Sequence, residues 1–335
     1  MKRSSFNRLM IQLLGTGVAL ALSACATMEP VHVARVELRA LPTTTLSDQQ
    51  FLTGQREDNP VTITGELRIP TMGKDKLPAV VLLHGSSGIS GFVDDWAQFI
   101  NGMGVATFVL DSFTARGIES LNNDQSRLSR LATTVDAYRA LELLAKHPRI
   151  DPERIVVMGF SRGGQAALYA AMKRFQRLHG PEGKGFAGYL VFYPDCRTRY
   201  REDEDLADRP IRILHGNADD YNPVDACRDY VQSLRKAGKK VQLIEYAGAA
   251  HVFDWVMLKE PRKLTKAQTT RNCRLEERDN GVLFNSRSGQ PFTYADPCVE
   301  YGPTIAYHAD AHQAAQKNVR EFLVTALKLS AAGKP

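Results

Sequence analysis

Net charge is in short supply in this 335-residue chain. It carries 43 basic against 37 acidic side chains, a formal +6 that includes Lys2, Arg3 and Arg8; without those three it is +3. A scattered surplus of that size excludes a surface built for nucleic acid. Cysteine is also scarce, with five residues and no C-x-x-C spacing among them, which argues against a zinc knuckle. Internal repeats, low-complexity tracts and a Pro/Ser linker are all missing. Their absence excludes a solenoid and marks no boundary between two large domains. What is present is 43% hydrophobic and 24% charged side chains, a globular composition on a chain long enough to bury a large core.

The N-terminus has its own chemistry. Lys2, Arg3 and Arg8 precede an apolar stretch, Leu9 to Ala24, too short for a membrane span and fitting an export signal over residues 1–24. The sequence Leu22-Ser23-Ala24-Cys25 resembles a bacterial lipoprotein box, in which the cysteine is lipidated and becomes the first residue of the mature chain. An ordinary signal peptide cleaved nearby is the alternative. With Ala26 after the cysteine, the resemblance places the protein in the cell envelope, on the outer membrane facing the periplasm, held by its lipid. Export leaves Cys196, Cys227, Cys273 and Cys298, an even number in an oxidising compartment. Three pairings are open, and sequence neighbours, Cys196 with Cys227 and Cys273 with Cys298, are the expected pairs.

Residues 25–60 are expected to be a tether and edge segment, and residues 61–335 the folded domain. Val61 to Ile69 alternates apolar with polar, as in a strand with one wet face, and fits an antiparallel edge hairpin. Six short apolar runs follow: 78–85, 105–112, 155–160, 188–194, 211–216 and 241–246. The first four are continuous, as parallel strands covered on both faces require, and the last two admit a polar residue, as strands nearer an edge do. Helical patterns lie between them at 94–103, 126–146, 163–178 and 224–237. Strand and helix in alternation predict an α/β fold, a doubly wound and mostly parallel sheet flanked by helices.

Ligands bind such sheets beyond the carboxyl ends of the strands, so the residues there are the ones to inspect. In Gly159-Phe160-Ser161-Arg162-Gly163 a buried strand turns directly into a helix. The glycines make room for a turn that strains the serine backbone and exposes its hydroxyl, while the free N–H groups of the next helix, Arg162 first, favour developing negative charge. A serine needs a base, and the base needs a carboxylate to hold its tautomer. In the order Ser, acid, His, the loop after 211–216 offers Asp219, with Asp220 as the alternative, and the loop after the last strand offers His251. A second oxyanion donor belongs in the loop after 78–85, where Ser86 is preferred and Ser87 is the alternative. His84 and His215, each ending a strand before glycine, read as structural, and Asp111 as the cap of the Ser112–Arg116 loop. His308 and His312 lie four apart, but "HADAH" lacks the glutamate that a zinc-protease helix carries after its first histidine, so no metal is expected.

Taken together, "VVLLHGSSGI", "VLDSFTARGI", "GFSRGG", "VFYPDC", "LHGNADDYNP" and "YAGAAHVFDW" resemble the dienelactone hydrolase family from about Val61 to the C-terminus. The resemblance implies an α/β-hydrolase fold and hydrolysis of a small ester or lactone through an acyl-enzyme. It implies no metal and no organic cofactor, with Ser161 as nucleophile, Asp219 as acid and His251 as base. The chain departs from the founding members, which use a cysteine nucleophile, are cytoplasmic and lack a segment like 259–307. That segment is either a lid beside the site or a stapled surface decoration. A serine peptidase of the same fold and a non-catalytic binding lipoprotein are the competing readings.

Overall fold

The computed structural model describes residues 33–55, 59–71 and 76–329; Cys25 and the expected export signal lie outside them. Nine strands come first along the chain: β1 (Val33–Thr44), β2 (Pro60–Pro70), β3 (Leu77–Leu83), β4 (Ala106–Asp111), β5 (Ile150–Phe160), β6 (Gly188–Phe192), the short β7 (Thr198–Arg199), β8 (Ile211–Gly216) and β9 (Val241–Tyr246). All but β7 form one sheet in the order β1-β2-β4-β3-β5-β6-β8-β9. The β1, β2 and β4 pairings are antiparallel, and from β4 to β9 every neighbour is parallel. The expected hairpin at Val61–Ile69 is thus completed by β1, which lies within the 25–60 segment and pairs with β2 along its length, with the short helix α1 (Asp48–Thr53) following it.

The continuous apolar runs are explained by two dry faces. On one face Val81, Leu83, Val157 and Val191 pack beneath α3 (Ala132–Ala145), α4 (Arg162–Tyr169), α5 (Lys173–His179) and α6 (Asp225–Lys236). On the other, Val80, Leu82, Val156, Met158 and Phe192 meet Trp96 of α2 (Gly91–Asn101) and Val319 and Phe322 of α7 (Ala309–Ala326). Because strand side chains alternate with period two, a slip of one residue would exchange the two sets. Each fully buried branched or aromatic side chain contributes about 1.5–3 kcal/mol, so the register of β3, β5 and β6 is strongly held. That register puts Gly159 opposite Leu83 and Val191 and ends β5 at the same level as its neighbours.

Two expected helices begin or end differently. The pattern at 126–146 starts late: Gln125–Arg127 is a single 3-10 turn, Leu128 is extended and α3 begins at Ala132. The pattern at 163–178 is split into α4 and α5, because Met172 turns extended and bridges to Leu206 while the N–H of Lys173 donates to the Asp205 carbonyl. Tertiary hydrogen bonds override local periodicity at both places, at the first from the Gln125 N–H to Gln268 Oε1 and from Arg162 to the Leu128 carbonyl.

The 259–307 segment is built of small ladders. A four-stranded sheet joins Leu275–Glu277, Leu283–Asn285 and Gln290–Pro291 to β7. Its anchor is Glu277, buried, which accepts from both terminal nitrogens of Arg174 on α5 at 2.7 Å. Removing one partner of such a buried pair costs about 3–5 kcal/mol. Disulfides join Cys273 to Cys298 and Cys196 to Cys227, each with 5.0 Å between Cα atoms.

Candidate active site

Ser161 stands between the end of β5 and the first turn of α4 with φ 53° and ψ −113°, a conformation that costs a non-glycine residue about 1–3 kcal/mol. The glycines around it are required by close approach. A Cβ on Gly159 would run into the carbonyl of Gly163, and a Cβ on Gly163 would meet the carbonyls of Leu83 and His84. The turn is held by Ser161 N–H donating to the Phe192 carbonyl at 2.9 Å.

Two later loops converge on that hydroxyl. His251 Nε2 lies 2.9 Å from Ser161 Oγ, and His251 Nδ1 lies 2.6 Å from Asp219 Oδ2. The other carboxylate oxygen of Asp219 accepts from the N–H groups of Tyr221 (2.9 Å) and Asn222 (2.8 Å), which closes the loop around it. Burial alone would raise the Asp219 pKa, but the charges and hydrogen bonds of His251 and His215 outweigh it and hold the carboxyl well below the usual carboxylate range. The group is therefore ionised, as an acceptor for His251 Nδ1–H must be. Asp220 faces elsewhere, accepting from Thr304 N–H at 2.7 Å.

His251 is sandwiched. The rings of Tyr193 and Tyr221 each sit 4.7 Å from its own. Burial pushes Tyr221 up to about 12 and Tyr193 well above its ordinary value, so both phenols stay neutral. Tyr193 is fixed by the buried carboxylate of Asp254, which accepts from the Tyr193 hydroxyl at 2.8 Å and from Trp96 Nε1 at 2.7 Å.

The loop after β3 approaches from the opposite side. A Cβ on Gly85 would lie 3.3 Å from the Phe160 carbonyl and 3.4 Å from Ser161 Cβ, so this loop packs against the Ser161 turn, and Ser86 and Ser161 line the same cavity. The N–H groups of Ser86 and Arg162 have no backbone acceptor among the described residues. Ser86 is buried and Ser87 is exposed, with Ser87 Oγ accepting from Asn122. A cavity of about 260 Å³ opens above these groups. Phe92, Phe160, Val252 and Trp255 give it apolar walls, and the 259–307 segment adds Arg262, Leu264 and Ile305. That segment thus forms part of the pocket wall. The Ala306 N–H, donating to the His251 carbonyl at 3.1 Å, ties it to His251.

Other residues singled out in the sequence have structural partners. His84 Nδ1–H donates to the Gly85 carbonyl at 2.8 Å, its Nε2 accepts from Ser112 N–H, and burial lowers its pKa. Asp111 caps the Ser112–Arg116 loop through the N–H groups of Phe113 and Thr114. His308 caps α7 and His312 packs against Trp96; no group of metal-ligating side chains gathers among the described residues. His215 plays a larger part than its position before a glycine conveyed. Its Nε2 donates to the Asn222 carbonyl at 2.7 Å and lies 3.4 Å from Asp219 Oδ2, and the i,i+4 spacing to Asp219 was the available signal. Gln125 and Arg262 carried none, because each comes from a distant part of the chain; Tyr193 and Tyr221 stand inside two of the quoted motifs, but nothing along the chain pointed their rings at His251.

Against known proteins, residues 63–273 match the model of the dienelactone hydrolase family. A relative from Bradyrhizobium sp, named as a probable 2-oxo-3-(5-oxofuran-2-ylidene)propanoate lactonase, is 23% identical over 202 residues, covering 56% of this chain and 80% of that protein. An uncharacterized peptidase of Bacillus subtilis (strain 168), YuxL, is 26% identical over 138 residues, which is 33% of this chain and only 20% of that protein's length. Among solved structures, the dienelactone hydrolase-like promiscuous phosphotriesterase P91 from metagenomic libraries superposes with a TM-score of 0.55 at 15% identity, covering 87% of this chain and 98% of that one. The esterase Est2 of Thermogutta terrifontis gives 0.53 at 18% identity, covering 89% and 95%. These superpositions agree in the α/β-hydrolase sheet.

Proposed function

The chain belongs to the dienelactone hydrolase family, a family of ester- and lactone-hydrolysing enzymes, and from that premise we propose that it is a serine hydrolase working through an acyl-enzyme, with Ser161 as nucleophile, His251 as base and Asp219 as orienting acid. The observation that carries this reading is the relay Ser161 Oγ, His251 Nε2, His251 Nδ1, Asp219 Oδ2, at 2.9 and 2.6 Å.

Each step follows from a named atom. Ser161 Oγ attacks the substrate carbonyl and its proton passes to His251 Nε2, while Asp219 stabilises the imidazolium. The oxyanion is met by the N–H groups of Ser86 and Arg162. As the C–O bond breaks, His251 returns the proton to the leaving oxygen. The alcohol departs from an ester; from a lactone it stays attached to the acyl chain. Water then repeats the sequence and frees Ser161. A pocket of about 260 Å³ lies just below the usual range for ligand sites, which favours a small substrate. Arg262 on its wall has no carboxylate partner among the described residues, and the Bradyrhizobium relative is named for a propanoate. Both favour a substrate bearing its own acid group. Attachment to the cell envelope through a lipidated Cys25 rests on the sequence Leu22-Ser23-Ala24-Cys25 and is part of the same proposal.

A fluorophosphonate probe tests the mechanism. Mass spectrometry is expected to find the adduct on the peptide containing Ser161, with none in Ser161→Ala. Labelling elsewhere, or ester turnover by folded Ser161→Ala, would refute the nucleophile.

A further inference from the structure

Arg162 does more than offer a backbone N–H. Its side chain is buried, yet no carboxylate lies within ion-pair distance of it among the described residues. The neighbouring buried arginine, Arg130, has Asp195 at 2.8 Å; Arg162 has neutral partners only. Its Nη1 donates to Gln125 Oε1 at 2.6 Å, its Nη2 donates to the Leu128 carbonyl, and its Nε has no hydrogen-bond partner; the Tyr294 hydroxyl and, beyond ion-pair distance, the Asp48 carboxylate favour its charge. Gln125 in turn reaches the opposite side of the site, its Nε2 lying 3.1 Å from Ser86 Oγ. It is held there by its own N–H, which donates to Gln268 Oε1 at 2.8 Å. One amide side chain therefore joins the two residues whose N–H groups flank Ser161.

Resting on the reading of Ser161 as nucleophile, we propose that Arg162 and Gln125 are positioning residues that lock the two oxyanion donors into one unit and set behind them a positive charge with no ion-paired carboxylate. Burial disfavours the Arg162 charge and lowers its pKa, but a guanidinium remains protonated in any ordinary assay. A cation kept in a low-dielectric interior without a carboxylate in ion-pair contact acts on charge that develops nearby, and it needs no reorganisation when that charge appears. The substrate carbonyl is neutral and the tetrahedral intermediate is anionic, so the effect falls on kcat and leaves KM nearly unchanged. The Gln268 bond also shows why the 259–307 segment reaches this far: it supports the donor frame as well as the pocket wall.

The discriminating variant is Gln125→Glu, which keeps an acceptor for Arg162 and for the Ser86 hydroxyl while cancelling the charge. Expected are a melting temperature equal to or above wild type, KM within about twofold, and kcat lower by roughly 10- to 100-fold, somewhat less than loss of a direct oxyanion donor. Affinity for a trifluoromethyl ketone, which forms the anionic adduct, should fall by the same factor. Arg162→Lys, which keeps the charge and loses the fork, should recover part of the kcat lost in Arg162→Met. Wild-type kcat in Gln125→Glu overturns the inference. So does a kcat loss that tracks lost thermal stability while ketone affinity is unchanged, the pattern of a merely structural role. Should Gln125→Glu fail to fold, the two Arg162 variants decide, and equal kcat in lysine and methionine overturns the proposal. The nucleophile reading fails separately, by fluorophosphonate labelling away from Ser161.

Discussion

Opening the Cys196–Cys227 bond with Cys227→Ala tests stability and catalysis together. The bond spans 31 residues, for which the chain-entropy relation gives about 3.7 kcal/mol at 25 °C. At roughly 2.1 cal/mol/K of unfolding entropy per residue over some 300 ordered residues, that is a fall of about 6 °C in melting temperature. Both sulfurs are buried, and the loop closed by the bond contains Asp219. Cys196 follows Asp195, which caps Arg197 and binds Arg130, and it lies three residues after Tyr193, the ring packed against His251. Loosening this bond therefore frees one wall of His251 and the loop that carries Asp219, and if these are the proposed base and acid their displacement costs rate. Thermal denaturation and ester kinetics on Cys227→Ala and Cys273→Ala separate the effects. Both variants lose stability to a similar degree, because the 25-residue span of Cys273–Cys298 gives about 3.5 kcal/mol by the same relation, whereas Cys227→Ala suffers the larger loss in kcat. A Cys227→Ala protein with an unchanged melting temperature refutes the stapling. One with a lower melting temperature and undiminished kcat refutes the link to Asp219.

Ser161→Ala is expected to lose roughly 10^4- to 10^6-fold in ester turnover and to keep its melting temperature, as followed by kinetics and calorimetry. Asp219→Asn should lose roughly 10^4-fold and Asp220→Asn little, since only Asp219 contacts His251; the reverse order would move the acid by one position. Arg262→Ala should raise KM about tenfold, the worth of a hydrogen bond to a charged group, for esters carrying a carboxylate and leave neutral esters unaffected; equal effects on both would remove Arg262 from substrate recognition. Cys25→Ser should release the protein from membranes, and a wild type that takes up no labelled fatty acid would refute the anchor.

The sequence by itself determined the parts that depend on local order. Continuous apolar runs at β3, β5 and β6 can be buried only by covering both faces, and Gly159 and Gly163 around Ser161 admit the strained turn that no larger residue permits. Together with the order of strand ends, those constraints named Ser161, Asp219 and His251, which the fold brings into one relay. Only the tertiary structure decided what surrounds them. Gln125 opens a 3-10 turn, Tyr193 follows the buried end of β6, and Arg262 and Gln268 belong to a segment of small ladders. No spacing along the chain relates these residues, because their contacts span tens to more than a hundred positions. The same holds for the break between α4 and α5, where a bridge from Met172 to Leu206 outweighs a local helical pattern. Periodicity reports which face of an element is dry; which distant side chain completes a hydrogen bond is set by packing, and becomes visible only when the loops have met.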